Sequence, residues 1–156
     1  MKGLGGKPVI VTGAGGGIGR AIALRFAEAG AKVGVFDLDA TAARGTVDAV
    51  KEAGGAAWAQ VCDITDRAAV DRAVADFADE AGPLYALINN AGWDQPFQFL
   101  ETDEAFWRKV VEINYFGPLH MHHACLPGMV ERGEGRVINI ASDAARVGSS
   151  GEAVYA

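Results

Sequence analysis

Cysteine is nearly absent from this sequence: Cys62 and Cys125 are the two present. Two thiols cannot build a disulfide framework, so a packed core has to carry the fold, and reduced thiols fit a cytoplasmic setting. Basic residues are also scarce, 14 Lys and Arg against 20 Asp and Glu, for a net charge of −6. That balance lacks the basic surface that phosphate backbones and anionic headgroups require, which excludes nucleic acid and membrane as expected partners. No apolar run approaches the ~20 residues of a membrane span. The opening Met1-Lys2-Gly3-Leu4-Gly5-Gly6-Lys7-Pro8 has no apolar leader core with a cleavage site. There is no linker, repeat or low-complexity segment. Histidine is limited to His120, His122 and His123. His120 and His123 share a helix face, but no third ligand is evident, so the expected role is packing or a subunit contact and no metal.

What is present is a strand–helix alternation. Half of the 156 residues are hydrophobic, enough for one domain over 1–156. Short apolar runs at 8–11, 31–36, 56–61, 84–88 and 136–141 read as strands. Periodic apolar faces at 18–29, 40–53, 69–77 and 102–126 read as helices, with Thr65 and Thr102 as candidate caps. A small-residue loop then leads to Tyr155. Such alternation predicts an α/β fold, a doubly wound parallel sheet of five strands.

The organising stretch is Val9-Ile10-Val11-Thr12-Gly13-Ala14-Gly15-Gly16-Gly17-Ile18-Gly19-Arg20. An apolar run meets clustered glycines, and an amphipathic helix follows at once. Residues without a Cβ let a diphosphate approach backbone N–H groups, and the helix behind adds its positive dipole end. The reading is a dinucleotide cradle. Asp37 ends the second strand, where a carboxylate accepts hydrogen bonds from adenosine ribose hydroxyls and repels a 2′-phosphate, which favours NAD over NADP. Asp39 is the better cap for the following helix. Asp63 ends strand three, suited to an adenine amino group or to capping the next helix. Asn89-Asn90-Ala91-Gly92 follows strand four, as backbone bracing and a close coenzyme approach. Gly13, Asp37, Asp63, Asn89 and Ser142 thus gather at strand C-termini, the edge where open parallel sheets bind ligands.

With Thr12-Gly13-x-x-x-Gly17-Ile18-Gly19, Asp63, Asn89-Asn90-Ala91-Gly92, Asn114, Ser142 and Tyr155 in this order, the chain resembles the short-chain dehydrogenase/reductase family over nearly its whole length. The resemblance implies a Rossmann-type sheet, here truncated after strand five, and NAD as cofactor. It implies coenzyme contacts at Gly13, Gly15, Gly16, Gly17, Ile18, Gly19, Asp37, Leu38, Cys62, Asp63, Ile64, Asn90, Ala91, Gly92 and Tyr155. It makes Tyr155 the catalytic acid/base, Ser142 the holder of the substrate oxygen and Asn114 a member of a proton relay. Pro118 has no N–H to bond the Asn114 carbonyl, so that carbonyl is expected free on a kinked helix, to hold a relay water. The long helix from Thr102 resembles the family's pairing helix and implies a homo-oligomer, a dimer or tetramer.

The runs 89–94, 119–124 and 140–155 resemble those of members that oxidise a cyclic 3-hydroxyacyl-CoA to the 3-oxo thioester. A small-molecule substrate, a CoA thioester, is therefore expected, with Trp93 as an apolar wall and Arg146 in a surface salt bridge. A 3-oxoacyl thioester reductase or a general secondary-alcohol dehydrogenase is the alternative. A methyltransferase is a rival that would not need Ser142 and Tyr155. The family pattern is Y-x-x-x-K, and here Ala156 alone follows Tyr155. Taken as a whole polypeptide, the chain is expected to be an inactive nucleotide-binding fragment with strand five as an unpaired edge.

Overall fold

The structure, a computed structural model, describes residues 3–156. Five parallel strands lie in the order β3-β2-β1-β4-β5. They are β1 (Pro8–Thr12), β2 (Lys32–Asp37), β3 (Ala56–Val61), β4 (Ala86–Asn89) and β5 (Arg136–Asn139). Side chains alternate across a strand, so each strand feeds two cores. Val9, Val11, Val33 and Val35 face α1 (Gly17–Glu28) and α2 (Ala40–Glu52). Ile10, Phe36 and Leu87 face α3 (Arg67–Ala81) and α5 (Gly117–Arg132), through Val70, Phe77, Met121 and Cys125. Burial on both faces explains why these strands read as continuous apolar runs. The chain leaves β1 toward β2 on one side and places β4 on the other. Strand order therefore reverses at β1/β4, and a crevice opens at the carboxyl ends of those two strands.

The helix starts differ from the sequence reading. Asp66, not Thr65, caps α3, accepting from the Ala68 and Ala69 amides at 2.9 and 3.1 Å. Asp103, not Thr102, caps α4 (Glu104–Val111), accepting from the Phe106 amide at 2.9 Å. A carboxylate adds negative charge at the positive end of the helix dipole, which a hydroxyl cannot do. The threonines bond elsewhere: Thr65 donates to Asp63, and Thr102 donates to the Phe99 carbonyl and accepts from the Trp107 indole. The expected single long helix is divided. A π-type segment, Glu112–Phe116, separates α4 from α5, and the Gly117 amide bonds the Glu112 carbonyl five residues back. Pro118 supplies no donor in the next turn, and widening the ladder by one residue accommodates that gap. The helix also runs on to Arg132 before Gly133 ends it in the left-handed region at φ 64°. The loop after Ser142 contains a helical turn, α6 (Ala144–Val147). β5 is the outer strand of the described sheet, and Ile138 within it and Ile140 just beyond its end are each 44% exposed. Among the described residues no helix is long and apolar enough to cross a membrane.

Both cysteines belong to the α3/α5 core. Burial pushes the Cys125 thiol up to about 12. Burial, with Asp63 and Asp66 nearby, pushes Cys62 up to about 11 from an ordinary 9.0. The unfolded chain therefore releases these protons from about pH 9, while the folded chain holds them to about 11. The folded state binds more protons in that window, so stability is full below pH 9 and falls as pH rises through it. Two outcomes are expected: no reaction with a thiol reagent at pH 8 until denaturant is added, and a denaturation midpoint that drops between pH 9 and 11. Rapid native labelling of either thiol would contradict this burial.

Candidate active site

The glycine stretch divides into parts with different duties. Gly13 turns the chain at φ +63°, a conformation that a Cβ disfavours. Gly19 presses on that turn: a Cβ there would lie 2.1 Å from the Gly13 carbonyl oxygen and 2.6 Å from the Asn90 amide nitrogen. The Gly15 amide is taken by Asp37 Oδ2 at 2.8 Å. Gly16, Gly17 and Ile18 are exposed at the start of α1. The first amide in this helix with an intrahelical partner is that of Arg20, which bonds the Gly16 carbonyl. α2, α3 and α4 each begin under an aspartate cap, whereas α1 has no side-chain cap and no acid in its first turn. Its leading amides and positive dipole end stay available to an anion.

Thr12 ties this turn to the end of β4. Its hydroxyl oxygen accepts from the Asn90 and Ala91 amides, both at 3.0 Å, while the Asn90 side-chain amide donates to the Thr12 carbonyl at 3.0 Å. The bracing expected of Asn89-Asn90-Ala91-Gly92 is thus met on the other side by Thr12. A threonine at the buried end of β1, directly before Gly13, is the sequence signal for this staple.

Two cavities flank the braced loop. One, of about 420 Å³, is lined by Gly13, Asp37, Leu38, Cys62, Asp63, Ile64, Asn90, Ala91 and Gly92, together with Lys109. Asp37 is half-buried and also accepts from the Asp39 amide at 2.9 Å, while Asp39 caps α2 as expected. Asp63 holds the Thr65 amide and hydroxyl at 2.9 and 2.8 Å and does not cap α3. The second cavity, of about 630 Å³, brings together Ile18, Asn90, Gly92, Asn114, Ser142 and Tyr155. All three expected catalytic residues line it, although they come from the π segment, the end of β5 and the last turn of the chain. Gly15, Gly16, Gly17 and Gly19 line neither cavity.

Asn114 has a role in the structure that its position in a helix concealed. Its amide group clamps Trp93 from both sides, Oδ1 accepting from the Trp93 N–H at 3.0 Å and Nδ2 donating to the Trp93 carbonyl at 2.6 Å. Nδ2 also donates to the Val110 carbonyl at 2.9 Å. The side chain is thereby committed to holding the loop. The three histidines separate. His120 Nδ1 donates to the Ile64 carbonyl at 2.9 Å, and His123 Nδ1 accepts from the Arg67 guanidinium at 2.6 Å. His122 lines the larger cavity in a polar cluster with Asn89 and Asn139, at 3.0 and 3.1 Å. Among the described residues no group of three His, Cys, Asp or Glu is placed to hold a metal ion. Arg146 pairs with Asp143 on the surface at 3.3 Å.

A doubly wound parallel sheet with paired cavities at its switch point, one beside an uncapped glycine-rich helix start, defines a nucleotide-site architecture. The chain belongs to the short chain dehydrogenase family, whose pattern matches residues 7–156. It is 43% identical over 143 residues to 7alpha-hydroxysteroid dehydrogenase of Escherichia coli (strain K12), covering 91% of this chain and 55% of that protein. It is 37% identical over 153 residues to the (2S)-[(R)-hydroxy(phenyl)methyl]succinyl-CoA dehydrogenase subunit BbsD of Thauera aromatica, covering 98% and 61%. It superposes on NAD+-bound xylitol dehydrogenase with a TM-score of 0.94 and 35% identity, covering 99% of this chain and 60% of that one. The chain thus spans about three-fifths of the length of the relatives it matches.

Proposed function

We propose that a polypeptide carrying this chain at its relatives' length is a cytoplasmic, NAD-dependent oxidoreductase that interconverts a secondary alcohol and a ketone. The observation that carries the proposal is the meeting of Ser142, Tyr155 and Asn114 on one cavity beside the uncapped start of α1. The fit to a dinucleotide is local and steric. α1 offers unpartnered amides to a diphosphate, Gly13 and Gly19 keep the backbone close, and the smaller cavity has Asp37 and Asp63 to accept from ribose and adenine. Two similar solved structures, a 7 alpha-hydroxysteroid dehydrogenase with NADH and xylitol dehydrogenase with NAD+, support the same coenzyme.

The nicotinamide, when bound, accepts or returns the hydride. The chain's own residues handle the proton and the charge. Ser142 donates a hydrogen bond to the substrate oxygen, where negative charge develops. The Tyr155 phenol oxygen takes the hydroxyl proton on oxidation and returns it on reduction. The Asn114 side chain is occupied on Trp93, so its contribution to a proton relay falls to its main-chain carbonyl.

The substrate we propose is a cyclic 3-hydroxyacyl-CoA. The runs 89–94, 119–124 and 140–155 resemble those of 2-hydroxycyclohexanecarboxyl-CoA dehydrogenase, and all three contribute residues to the larger cavity. A relative named for a hydroxyacyl-CoA substrate supports the same class. The alternative is a 3-oxoacyl thioester reductase or a general alcohol dehydrogenase, and the relatives named for a steroid and for xylitol favour the latter of these two. The 156 residues alone hold no lysine after Tyr155, and in isolation we expect coenzyme binding without turnover. A homo-oligomer is proposed through the outward face of α4 and α5, where Val111 and Val130 are 41% and 74% exposed. NADH formation from the 2-hydroxycyclohexanecarboxyl-CoA thioester tests the activity; turnover of plain alcohols with none of the thioester would replace the proposed substrate.

Coenzyme choice has its own test. Asp37→Asn keeps an oxygen for the Gly15 amide and removes the charge. Losing ribose hydrogen bonds to a charged acceptor costs about 1.5–3 kcal/mol. The kcat/KM ratio of NADP to NAD is therefore expected to rise roughly 10- to 100-fold. An unchanged ratio would show that Asp37 does not meet the ribose.

A further inference from the structure

Asp94 lines the larger cavity, and both of its carboxylate oxygens are shielded from bulk solvent with no hydrogen-bond donor among the described residues. A buried carboxylate is costly unless something donates to it, so its empty acceptor positions face a group that the described residues do not provide. The neighbouring polar groups are already committed. Asn114 is spent on Trp93 and Val110, and His122, the Asn89 Nδ2 and Asn139 bond one another. Asn89 Oδ1 is an acceptor without a partner among the described residues, and it has no proton to give Asp94. Lys109 rests over the Trp93 ring, 3.6 Å from its centre, and not on Asp94. Asp94 is also held in place: the Asn114 clamp fixes the Trp93 peptide groups immediately before it. Beyond it, Gln95, Pro96, Phe97 and Gln98 are exposed, so Asp94 sits where the cavity meets the surface.

We propose that Asp94 is a specificity-determining residue that accepts a hydrogen bond from the first amide N–H of a pantetheine thioester arm. This rests on the thioester reading above. Ser142 and Tyr155 are occupied by the reacting oxygen, so Asp94 meets a second donor on the same substrate. A thioester arm leaves the acyl group through sulfur and presents a neutral amide N–H two methylenes further on, along the path to the surface. Lys109, which is exposed, lines the smaller cavity and not this one, so the arm's recognition rests on Asp94. An acyl group held only by its ring would leave the carboxylate unpaired.

The test uses the polypeptide at its relatives' length and two 2-hydroxycyclohexanecarboxyl thioesters. One is the N-acetylcysteamine thioester; the other replaces its single N–H by oxygen, as the thioester of O-acetyl-2-mercaptoethanol. The wild type is expected to favour the amide by roughly 10- to 100-fold in kcat/KM, the range for a hydrogen bond to a charged group. In Asp94→Leu the preference is expected to fall to about onefold, with NADH binding by fluorescence unchanged. Asp94→Asn, which retains an acceptor oxygen without the charge, is expected to fall between. Equal turnover of both thioesters by the wild type, or a preference that survives in both variants, would overturn the role of Asp94 and leave the thioester substrate standing. Turnover of cyclohexanol but of neither thioester would overturn both.

Discussion

Tyr155→Phe, in the polypeptide at its relatives' length, is expected to lower kcat by about 10²- to 10⁴-fold, the range for loss of a positioned acid or base, with NADH affinity within about tenfold of wild type, the cost of one neutral hydrogen bond. The substitution removes one oxygen and keeps the ring. Tyr155 lies among Ser142, Asn114, Trp93 and Pro118 in the wall of the larger cavity, so the ring's packing is retained and the proton acceptor is lost. A tyrosine that only packs would show the reverse, a near-normal rate with altered stability. Single-turnover kinetics with prebound NAD+, alongside a fluorescence titration of NADH, separates chemistry from binding. A kcat within tenfold of wild type would remove Tyr155 from the proton transfer, and the alcohol–ketone reading would lose its base.

The second large effect is expected at Gly19. Gly19→Ala places a methyl group 2.1 Å from the Gly13 carbonyl oxygen and 2.7 Å from its carbonyl carbon. Both are backbone atoms of a turn pinned by Thr12 and Asn90, so neither can swing aside as a side chain end could. α1 must withdraw from β1, at a cost of about 3 kcal/mol by the measure of overpacked cores. The same movement displaces the leading amides of α1, so NADH binding should fall with stability. Gly16→Ala is the control. A Cβ there meets nothing within 4 Å, and its φ of −152° is extended backbone open to any residue. Stability should stay within ~0.5 kcal/mol of wild type while NADH binding alone weakens, because a methyl would stand where we propose that the diphosphate approaches. Denaturant midpoints and NADH titrations of both variants check the pair. An unshifted midpoint for Gly19→Ala would contradict the tight helix–strand contact.

Much of the fold was legible along the chain because its signals are local. A strand buried on both faces must be an unbroken apolar run, and β1, β2 and β4 are. A helix start that leaves amides free must lack a cap, and the glycines before Ile18 show that without coordinates. Asp39 as the cap of α2 followed from the same rule. The misplaced caps at Thr65 and Thr102 came from neighbours one residue away that compete for the same amides. A carboxylate wins over a hydroxyl there by charge, and the losing threonines found partners in Asp63 and in Phe99 and Trp107, which only the folded chain brings near. The π segment was half legible: Pro118 announced a missing donor, but the ladder could have kinked as well as widened.

The sequence by itself determined the alternation of elements, the glycine turn, and which residues end up at the carboxyl edge of the sheet, because strand direction places every strand's last residue on one edge. Only the tertiary structure decided what those residues touch. The strand order, with β4 beside β1, makes the crevice. The grouping of Asn114, Ser142 and Tyr155, the staple from Thr12, the Asn114 clamp on Trp93 and the unpartnered Asp94 join segments tens of residues apart. Contacts of that kind carry no periodicity and no spacing along the chain; they exist because two layers of helices, packed on opposite faces of one sheet, bring distant strand ends to the same place.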